Sequence, residues 1–211
     1  MEDIEQGSDD WFAARLGRVT ASRVADVIAK TKSGYAATRA NYAAQLVAER
    51  LTGKVQESYT NTAMQWGTDQ EPEARAAYEF LTGRSVTELG FAAHPTIDMS
   101  GASPDGLVGE DGLVEIKCPN TATHIETLLG GGVPGKYQAQ MFWQMACTGR
   151  KWCDFVSYDP RLPEDMQVFI HRLQRDDTEI ARLEDEVKSF LFEVDQTVRA
   201  LTRRYGDKAA A

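Results

Sequence analysis

The clearest pattern in the sequence is a set of hydrophobic residues that recur every three or four positions near the C-terminus. This spacing places them on one face of a helix and predicts a long amphipathic helix over 176–205. The remaining positions are rich in acidic residues, which favours an interface or a solvent-exposed face. The hydrophobic positions are Ile180, Leu183, Val187, Phe190, Leu191, Val194, Val198 and Leu201.

Shorter segments with helical spacing predict further helices in the rest of the chain. Either Thr20 or Ser22 caps a helix that runs toward Ile28, because a hydroxyl can accept a hydrogen bond from a free backbone N–H at a helix start. Two more helices are predicted over 37–51 and 136–147.

Another helix start is predicted around Glu71. Thr68 and Glu71 have the spacing of a capping box, and Pro72 suits the first turn of a helix. This helix is expected to run to about Leu81 and to end at Gly83.

Alternating hydrophobic and polar positions predict strands over 85–93, 152–158 and 166–173, the first with Val86 and Phe91 as core residues. The helices and strands together indicate an α/β domain of the mixed α+β kind, with a small mixed central sheet flanked by helices. One domain over 1–211 is expected, in three parts: 1–66, 67–175 and 176–205.

Composition narrows the class of protein. The 211 residues are 42% hydrophobic, and no stretch approaches the roughly 20 apolar residues of a membrane span. The polar, acidic N-terminus does not resemble a secretory signal. Three cysteines without finger spacing make a structural zinc site improbable and favour a reduced, cytoplasmic protein.

The charge is unevenly distributed along the chain. The net charge is −9, which argues against nucleic acid as a first choice of partner. Residues 11–54, however, contain eight Lys or Arg and two acids, whereas residues 159–198 contain five basic and eleven acidic residues. The basic segment is either a surface for phosphates or a solvated pair of helices.

A hairpin in the middle of the chain carries the candidate chemistry. A turn at 109–112 joins a strand over 103–108 to one over 113–118, and Glu115 and Lys117 leave the second strand on one face. The turn brings Asp105 alongside Glu115. Two carboxylates at one point favour a cation, and a lysine beside metal-bound water suits metal-assisted phosphodiester hydrolysis. Glu-x-Lys alone is common and can be an exposed ion pair.

Pro104-Asp105, nine residues and then Glu115-Ile116-Lys117 resemble the PD-(D/E)xK motif of the restriction-endonuclease-like superfamily. The similarity is closer to the phage lambda exonuclease family, also called the YqaJ-type viral recombinases, and extends from about residue 5 to at least 161. The segments that carry it are 5–11, 15–17, 20–22, 66–67, Glu71, 103–107, 113–119, 139–140 and 158–161.

The resemblance implies a restriction-endonuclease-like core and a magnesium site, with manganese able to substitute. Asp105, Glu115 and the backbone carbonyl of Ile116 would be metal ligands, and Lys117 would position the attacking water. Glu71 would face the same site as a further catalytic acid, with one or two ions acting. Its other interpretation is the capping glutamate described above.

The resemblance also implies a pocket for the 5′-phosphate of a DNA end. Arg15 would hold this phosphate, and Ser22, Ser103 and Gln140 would donate further hydrogen bonds. Ser22 could equally be a helix cap, and Gln140 a polar helix position. Met64 is a possible wedge between base pairs or a buried methionine. Trp11 and Trp66 are interpreted as core residues.

The activity implied by the resemblance is 5′-to-3′ digestion of one strand of linear duplex DNA from 5′-phosphorylated ends. The products would be mononucleotides and 3′ overhangs, for phage-type recombination by single-strand annealing. A ring-shaped homotrimer and a phage single-strand annealing protein are the implied assembly and partner. On this interpretation, 1–66 is the DNA-contacting part and 67–175 the catalytic core. The alternatives are a structure-specific endonuclease of the same superfamily and a DNA-end-binding recombination factor without turnover.

Overall fold

A five-stranded mixed sheet forms the centre of the molecule. Residues 4–56 and 62–206 are described by the computed structural model, which gives the backbone alone for 63 and 64. The strands are β1 Val19–Thr20, β2 Lys30–Thr31, β3 Gly34–Tyr35, β4 Val86–Thr87, β5 Ala92–Ala93, β6 Ser100–Ala102, β7 Gly106–Val108, β8 Gly112–Lys117, β9 Trp152–Tyr158 and β10 Val168–Gln174.

The central sheet has the strand order β10-β9-β8-β7-β4. The central strand β8 is parallel to β9, and the other neighbouring pairs are antiparallel. A small sheet of order β1-β6-β5 and the hairpin β2-β3 lie outside it. The parallel pair needs a crossover, and two helices between β8 and β9 provide it.

Seven α-helices and two 3₁₀ helices (Ala21–Arg23 and Glu164–Met166) accompany the sheets in the described residues. Among these residues, no helix has the length and apolar character needed to cross a membrane. The α-helices are α1 Asp9–Arg15, α2 Val24–Ile28, α3 Ala37–Thr52, α4 Thr62–Thr82, α5 Thr121–Gly130, α6 Gly135–Thr148 and α7 Asp177–Tyr205.

Both faces of the central sheet are covered by helices, as the mixed α/β prediction requires. On one face, Leu113 and Phe155 join a core with residues of α2, α3, α6 and α7. On the other face, Val114, Ile116 and Tyr78 of α4 belong to a second core. Alternate residues of β8 therefore pack in opposite directions, and Glu115 points with Leu113 toward the α6 side.

The acidic helix α7 neutralises part of the basic N-terminal segment. Arg39 pairs with Glu193 at 2.9 Å, and Lys30 pairs with Glu186 at 2.7 Å. Arg50 forms a further pair with an acid of α7. Three of the eight basic residues of 11–54 are thus paired with α7, so the whole segment is not a surface for DNA.

Several boundaries differ from the sequence prediction. Helix α4 begins before Thr68, so Thr68 and Glu71 lie inside it and the predicted capping box is wrong. The strand predicted over 85–93 is two short strands in different sheets, β4 and β5. Val86 and Phe91 are half-buried, and the buried side chains of this segment are Leu89 and Ala92.

Local chemistry misled the prediction at three other places. The hairpin β2-β3 was not predicted, because the segment 30–34 is polar and contains a glycine, as loops commonly do. Helix α5 was not predicted, because it contains several threonines, which are weak helix formers, although Asn120 caps it. Thr20 and Ser22 do not cap the helices that follow them.

The docking of α7 provides a test of the fold. Phe190 is fully buried and stacks on Tyr42 with ring centroids 5.5 Å apart, whereas Phe192 is 64% exposed. Phe190→Ala is expected to lower the free energy of unfolding by about 3–5 kcal/mol, because it leaves a cavity. Phe192→Ala should change it by less than about 0.5 kcal/mol. Urea unfolding of both variants checks this, and equal losses would contradict this packing.

Candidate active site

The hairpin of β7 and β8 brings the predicted acids and lysine together. Asp105 lies immediately before β7, and its Oδ2 accepts a hydrogen bond of 2.6 Å from the backbone N–H of Ile116. The Nζ of Lys117 pairs with Oε1 of Glu115. Glu115 is completely buried, whereas the side chain of Lys117 is 28% exposed. Lys117 therefore contacts the buried Glu115 with its ammonium group, while part of its side chain is accessible to solvent.

The charges in this group are strongly coupled. Burial raises the pKa of Asp105 well above its usual value, and the nearby charge of Glu115 raises it further. Burial works to lower the pKa of Lys117, but the charges of Glu115 and Asp105 outweigh it and raise this pKa. Lys117 is therefore held as an ammonium, and the two crowded carboxylates favour a cation beside them.

Helix α6 supplies two amides that bind opposite oxygens of Glu115. Gln140 Nε2 donates to Oε1, and Gln144 Nε2 donates to Oε2, each at 2.5 Å. Gln140 thus contacts the buried carboxylate, and its predicted role as a phosphate donor stays a prediction. Gln144 was missed in the sequence, although its spacing of four from Gln140 on a predicted helix is a signal for a shared face.

Glu71 of α4 acts electrostatically on the same group of charges. Its charge contributes to the raised pKa of Asp105, after the larger effects of burial, of Glu115 and of the opposing charge of Lys117. Glu71 also accepts a hydrogen bond of 2.9 Å from Arg75, one turn later in the helix. Because Glu71 lies within α4, its interpretation as a helix cap is wrong, and its role as an acid of the site stays a prediction.

Arg15 is joined to the hairpin through Ser103. Its Nη1 donates to Ser103 Oγ at 3.1 Å, and its guanidinium lies 4.0 Å from the centroid of the Trp11 ring. Trp11 Nε1 donates to the same hydroxyl at 2.9 Å. Trp11 is half-buried and belongs to this cluster, so its assignment to the core was wrong.

Within the described residues, Arg15 has no ion pair, and burial lowers its pKa. It lines a cavity of about 410 Å³ that also includes Ser22, Arg18, Arg23 and Glu49, whose carboxylate oxygens already accept from Gly17 and Gln45. Arg23 is neutralised by Asp26 at 2.6 Å, whereas Arg18 has no acidic partner in the described part of the chain. The cavity therefore holds a partly desolvated cation beside hydroxyl groups, which suits an anion.

Two further sequence predictions have different outcomes. The side chain of Met64 lies outside the described residues, so its role as a wedge stays a prediction. Trp66 is half-buried and outside both cores, with Arg161 lying 4.7 Å from its ring centroid. The interpretation of Trp66 as a core residue was wrong.

The donor atoms around the hairpin fit a hard divalent cation. Asp105 and Glu115 supply carboxylate oxygens, and the Ile116 carbonyl lies between Glu115 and Lys117 on the strand. Within 4–56 and 62–206, no three His, Cys, Asp or Glu side chains are close enough to form a complete metal cage. Two carboxylates and a carbonyl would leave the other coordination sites of a bound cation to water.

The fold and the hairpin define a mixed α/β protein of a known family. Residues 10–151 match the model of the YqaJ-like viral recombinase domain, which is more than half of the chain. The chain belongs to this family, which confirms the resemblance to the phage lambda exonucleases. None of the curated proteins matches the chain.

Solved structures agree with this family. The crystal structure of an alkaline exonuclease, LHK-Exo, from Laribacter hongkongensis is 57% identical, with a TM-score of 0.89 over 95% of this chain and 99% of that one. The structure of LHK-Exo in complex with dAMP matches with the same values. A phage-related exonuclease from Haemophilus somnus 129PT is 15% identical, with a TM-score of 0.69 over 87% and 96% of the two chains, and shows a shared fold.

Proposed function

We propose that the chain is a magnesium-dependent exonuclease that digests one strand of linear duplex DNA in the 5′-to-3′ direction. It begins at 5′-phosphorylated ends and releases mononucleotides, which leaves 3′ overhangs. The observation that carries this proposal is the link from Arg15 through Ser103 to the hairpin of Asp105, Glu115 and Lys117. The segment from Ser103 to Lys117 thus contacts the anion pocket at one end and contains the residues proposed for hydrolysis.

Asp105 and Glu115, with the Ile116 carbonyl, would hold the magnesium ion, and Mn²⁺ would substitute for it. When bound, the ion supplies a Lewis acid for the phosphate oxygens and lowers the pKa of its water. Glu71 would add a fourth oxygen donor group, which a second ion could use as a ligand.

Lys117 acts on the nucleophile and on the charge that develops at phosphorus. Its raised pKa keeps three N–H donors on Nζ, and its partial exposure lets them reach both Glu115 and a substrate. A fixed ammonium at this point orients the attacking water and stabilises the negative charge of the pentacoordinate transition state.

Arg15 recognises the end of the DNA. A guanidinium without a carboxylate partner can bind two phosphate oxygens in its planar fork. Ser22, which lines the same cavity, and Ser103, whose Oγ accepts from Arg15, would each offer a hydroxyl donor. Trp11 contacts the guanidinium by a cation–π interaction. A terminal phosphate carries more negative charge than an internal one, so this pocket favours an end.

The family and its relatives support both the reaction and its setting. LHK-Exo is described as an alkaline exonuclease and has been crystallised with dAMP, a deoxynucleoside monophosphate. Release of mononucleotides by this chain would agree with such a ligand. The family description, a viral recombinase, agrees with a role in recombination in the cytoplasm of a bacterial host, where a phage single-strand annealing protein covers the 3′ overhang.

A ring-shaped homotrimer is part of the proposal. Large apolar side chains stand exposed on the described surface, among them Phe80 at 88% and Leu129 at 83%. In the proposed ring, these side chains would lie in the contacts between chains. A light-scattering mass three times that of one chain is the expected result.

The reaction is tested with a linear duplex that carries a label at its 5′ or its 3′ end. With magnesium and a 5′-phosphate, we expect the 5′ label to appear first as a mononucleotide. EDTA should abolish release, and a 5′-hydroxyl should slow it. A closed circular duplex is the control and should stay intact. Cutting of the circle would indicate an endonuclease, and digestion that is equal in EDTA would contradict the metal site.

A further inference from the structure

Gln144 is a fully buried polar residue that touches the site without facing solvent. It lies on α6, one helical turn after Gln140, and its neighbours Trp143 and Met145 are also completely buried. The interior of a helix core seldom contains an amide unless its hydrogen bonds are satisfied, because burial of an unpaired amide is costly. The bonds of Gln144 therefore explain why it is there.

The amide of Gln144 is bound on both sides. Its Nε2 donates to Oε2 of Glu115 at 2.5 Å, and its Oε1 accepts from the Cys153 thiol at 3.8 Å. Cys153 is buried on β9, where it lies opposite Leu113 in the parallel ladder with β8. The thiol donates to the oxygen end of the amide, so the nitrogen end is turned toward the carboxylate.

Glu115 is held by three donors, one of which has no route to solvent. Gln140 and Lys117 both reach Oε1, whereas Gln144 binds Oε2. Donors on both oxygens fix the plane of the carboxylate, which a single donor leaves free to rotate.

We infer that Gln144 is the positioning residue for Glu115, and that Cys153 in turn orients Gln144. This chain of contacts from Cys153 to Gln144 to Glu115 holds the carboxylate in one orientation toward a divalent cation. The inference rests on the proposed function, in which Glu115 is a metal ligand. Residues that orient a metal ligand from behind commonly change metal affinity or activity by 10- to 100-fold when they are removed.

The test replaces Gln144 by methionine, which has a similar length and shape but neither donates nor accepts a strong hydrogen bond. The Mg²⁺ Kd is measured by titration calorimetry without DNA, and kcat and KM are measured on a 5′-phosphorylated duplex. We expect Gln144→Met to raise the Kd for Mg²⁺ and to lower kcat, each about 10- to 100-fold. The KM for DNA ends should stay close to wild type, because the Arg15 pocket is unchanged.

Met145→Leu is the matched control, since it alters the adjacent buried side chain of the same helix. It should leave the Mg²⁺ Kd and kcat at wild-type values, even if the Tm falls. A purely structural role for Gln144 predicts the same result for Gln144→Met. Equal Mg²⁺ Kd values in Gln144→Met and wild type would therefore overturn the inference.

Cys153 provides a second test that does not depend on the folding of Gln144→Met. Cys153→Ser retains an O–H donor for Gln144 and should keep the Mg²⁺ Kd near wild type. Cys153→Ala removes the donor and should weaken Mg²⁺ binding. Equal Kd values in the Ser and Ala variants would exclude the thiol as the orienting group.

The outcomes separate this inference from the proposed function. If the wild type binds Mg²⁺ but digests no duplex end, the function fails while the comparison of Kd values still decides the inference. If the duplex is digested and Gln144→Met equals wild type, the function stands and the inference fails. If calorimetry detects no Mg²⁺ binding in wild type, the inference is overturned.

Discussion

Lys117→Ala is expected to reduce kcat for mononucleotide release by on the order of 10²–10³, the usual loss when one donor to a developing charge is removed. Lys117 is the one side chain of the hairpin triad with a positive charge, and it contacts Glu115 while remaining partly exposed. Binding of duplex ends should persist, because Arg15 and its hydroxyl neighbours are unaltered. Single-turnover digestion and anisotropy binding in EDTA measure the two quantities.

Lys151→Ala is the matched control for this variant. Lys151 pairs with Asp111 at 3.0 Å on the surface and is 68% exposed, so it lies outside the site chemistry. Its removal should leave kcat and binding unchanged. Retention of full activity in Lys117→Ala would contradict the proposed mechanism, and loss of DNA binding in that variant would indicate a binding role instead.

Arg15→Ala is expected to remove the preference for a 5′-phosphate. Hydrogen bonds to charged groups contribute about 1.5–3 kcal/mol, so kcat/KM on a 5′-phosphorylated end should fall by roughly 10- to 100-fold. On a 5′-hydroxyl end the variant should match wild type, because that substrate lacks the group that Arg15 binds. The measurement is the ratio of kcat/KM values for the two ends.

Arg182→Ala is a control for the loss of an arginine as such. Arg182 pairs with Glu179 on the outer face of α7, far along the chain from the pocket. Its removal should leave the phosphate preference intact. Arg15→Lys keeps the charge without the planar fork and should give an intermediate ratio. An equal loss on both ends in Arg15→Ala would show a general role in DNA affinity.

The sequence was most informative where a local rule governs the structure. The turn glycines at 109 and 112 and the alternation along 113–117 predicted the hairpin, its register and the shared face of Glu115 and Lys117. The strand over 152–158 and the long C-terminal helix followed from hydrophobic periodicity. These features depend on neighbours in the chain, so a single sequence contains them.

The sequence was least informative where two distant segments meet. Basic residues of α3 pair with acids of α7 across about 150 positions, which converted a predicted DNA surface partly into an internal one. The N–H of Trp11 binds a serine that lies 92 positions away, a contact that apolar character cannot indicate. The extent of α4 was likewise set by its packing on the sheet, against the local capping signal.

By itself, the sequence determined the candidate triad, because two acids and a lysine on a tight hairpin have a geometry fixed by the pleat and the turn. The family match confirmed the wider resemblance from which the roles of these residues were inferred. Only the tertiary structure decided which buried residues hydrogen-bond to Glu115 and orient it. Gln144 lies on the crossover helix between β8 and β9, and Cys153 lies on β9, so both are placed near Glu115 by the tertiary pairing of these strands.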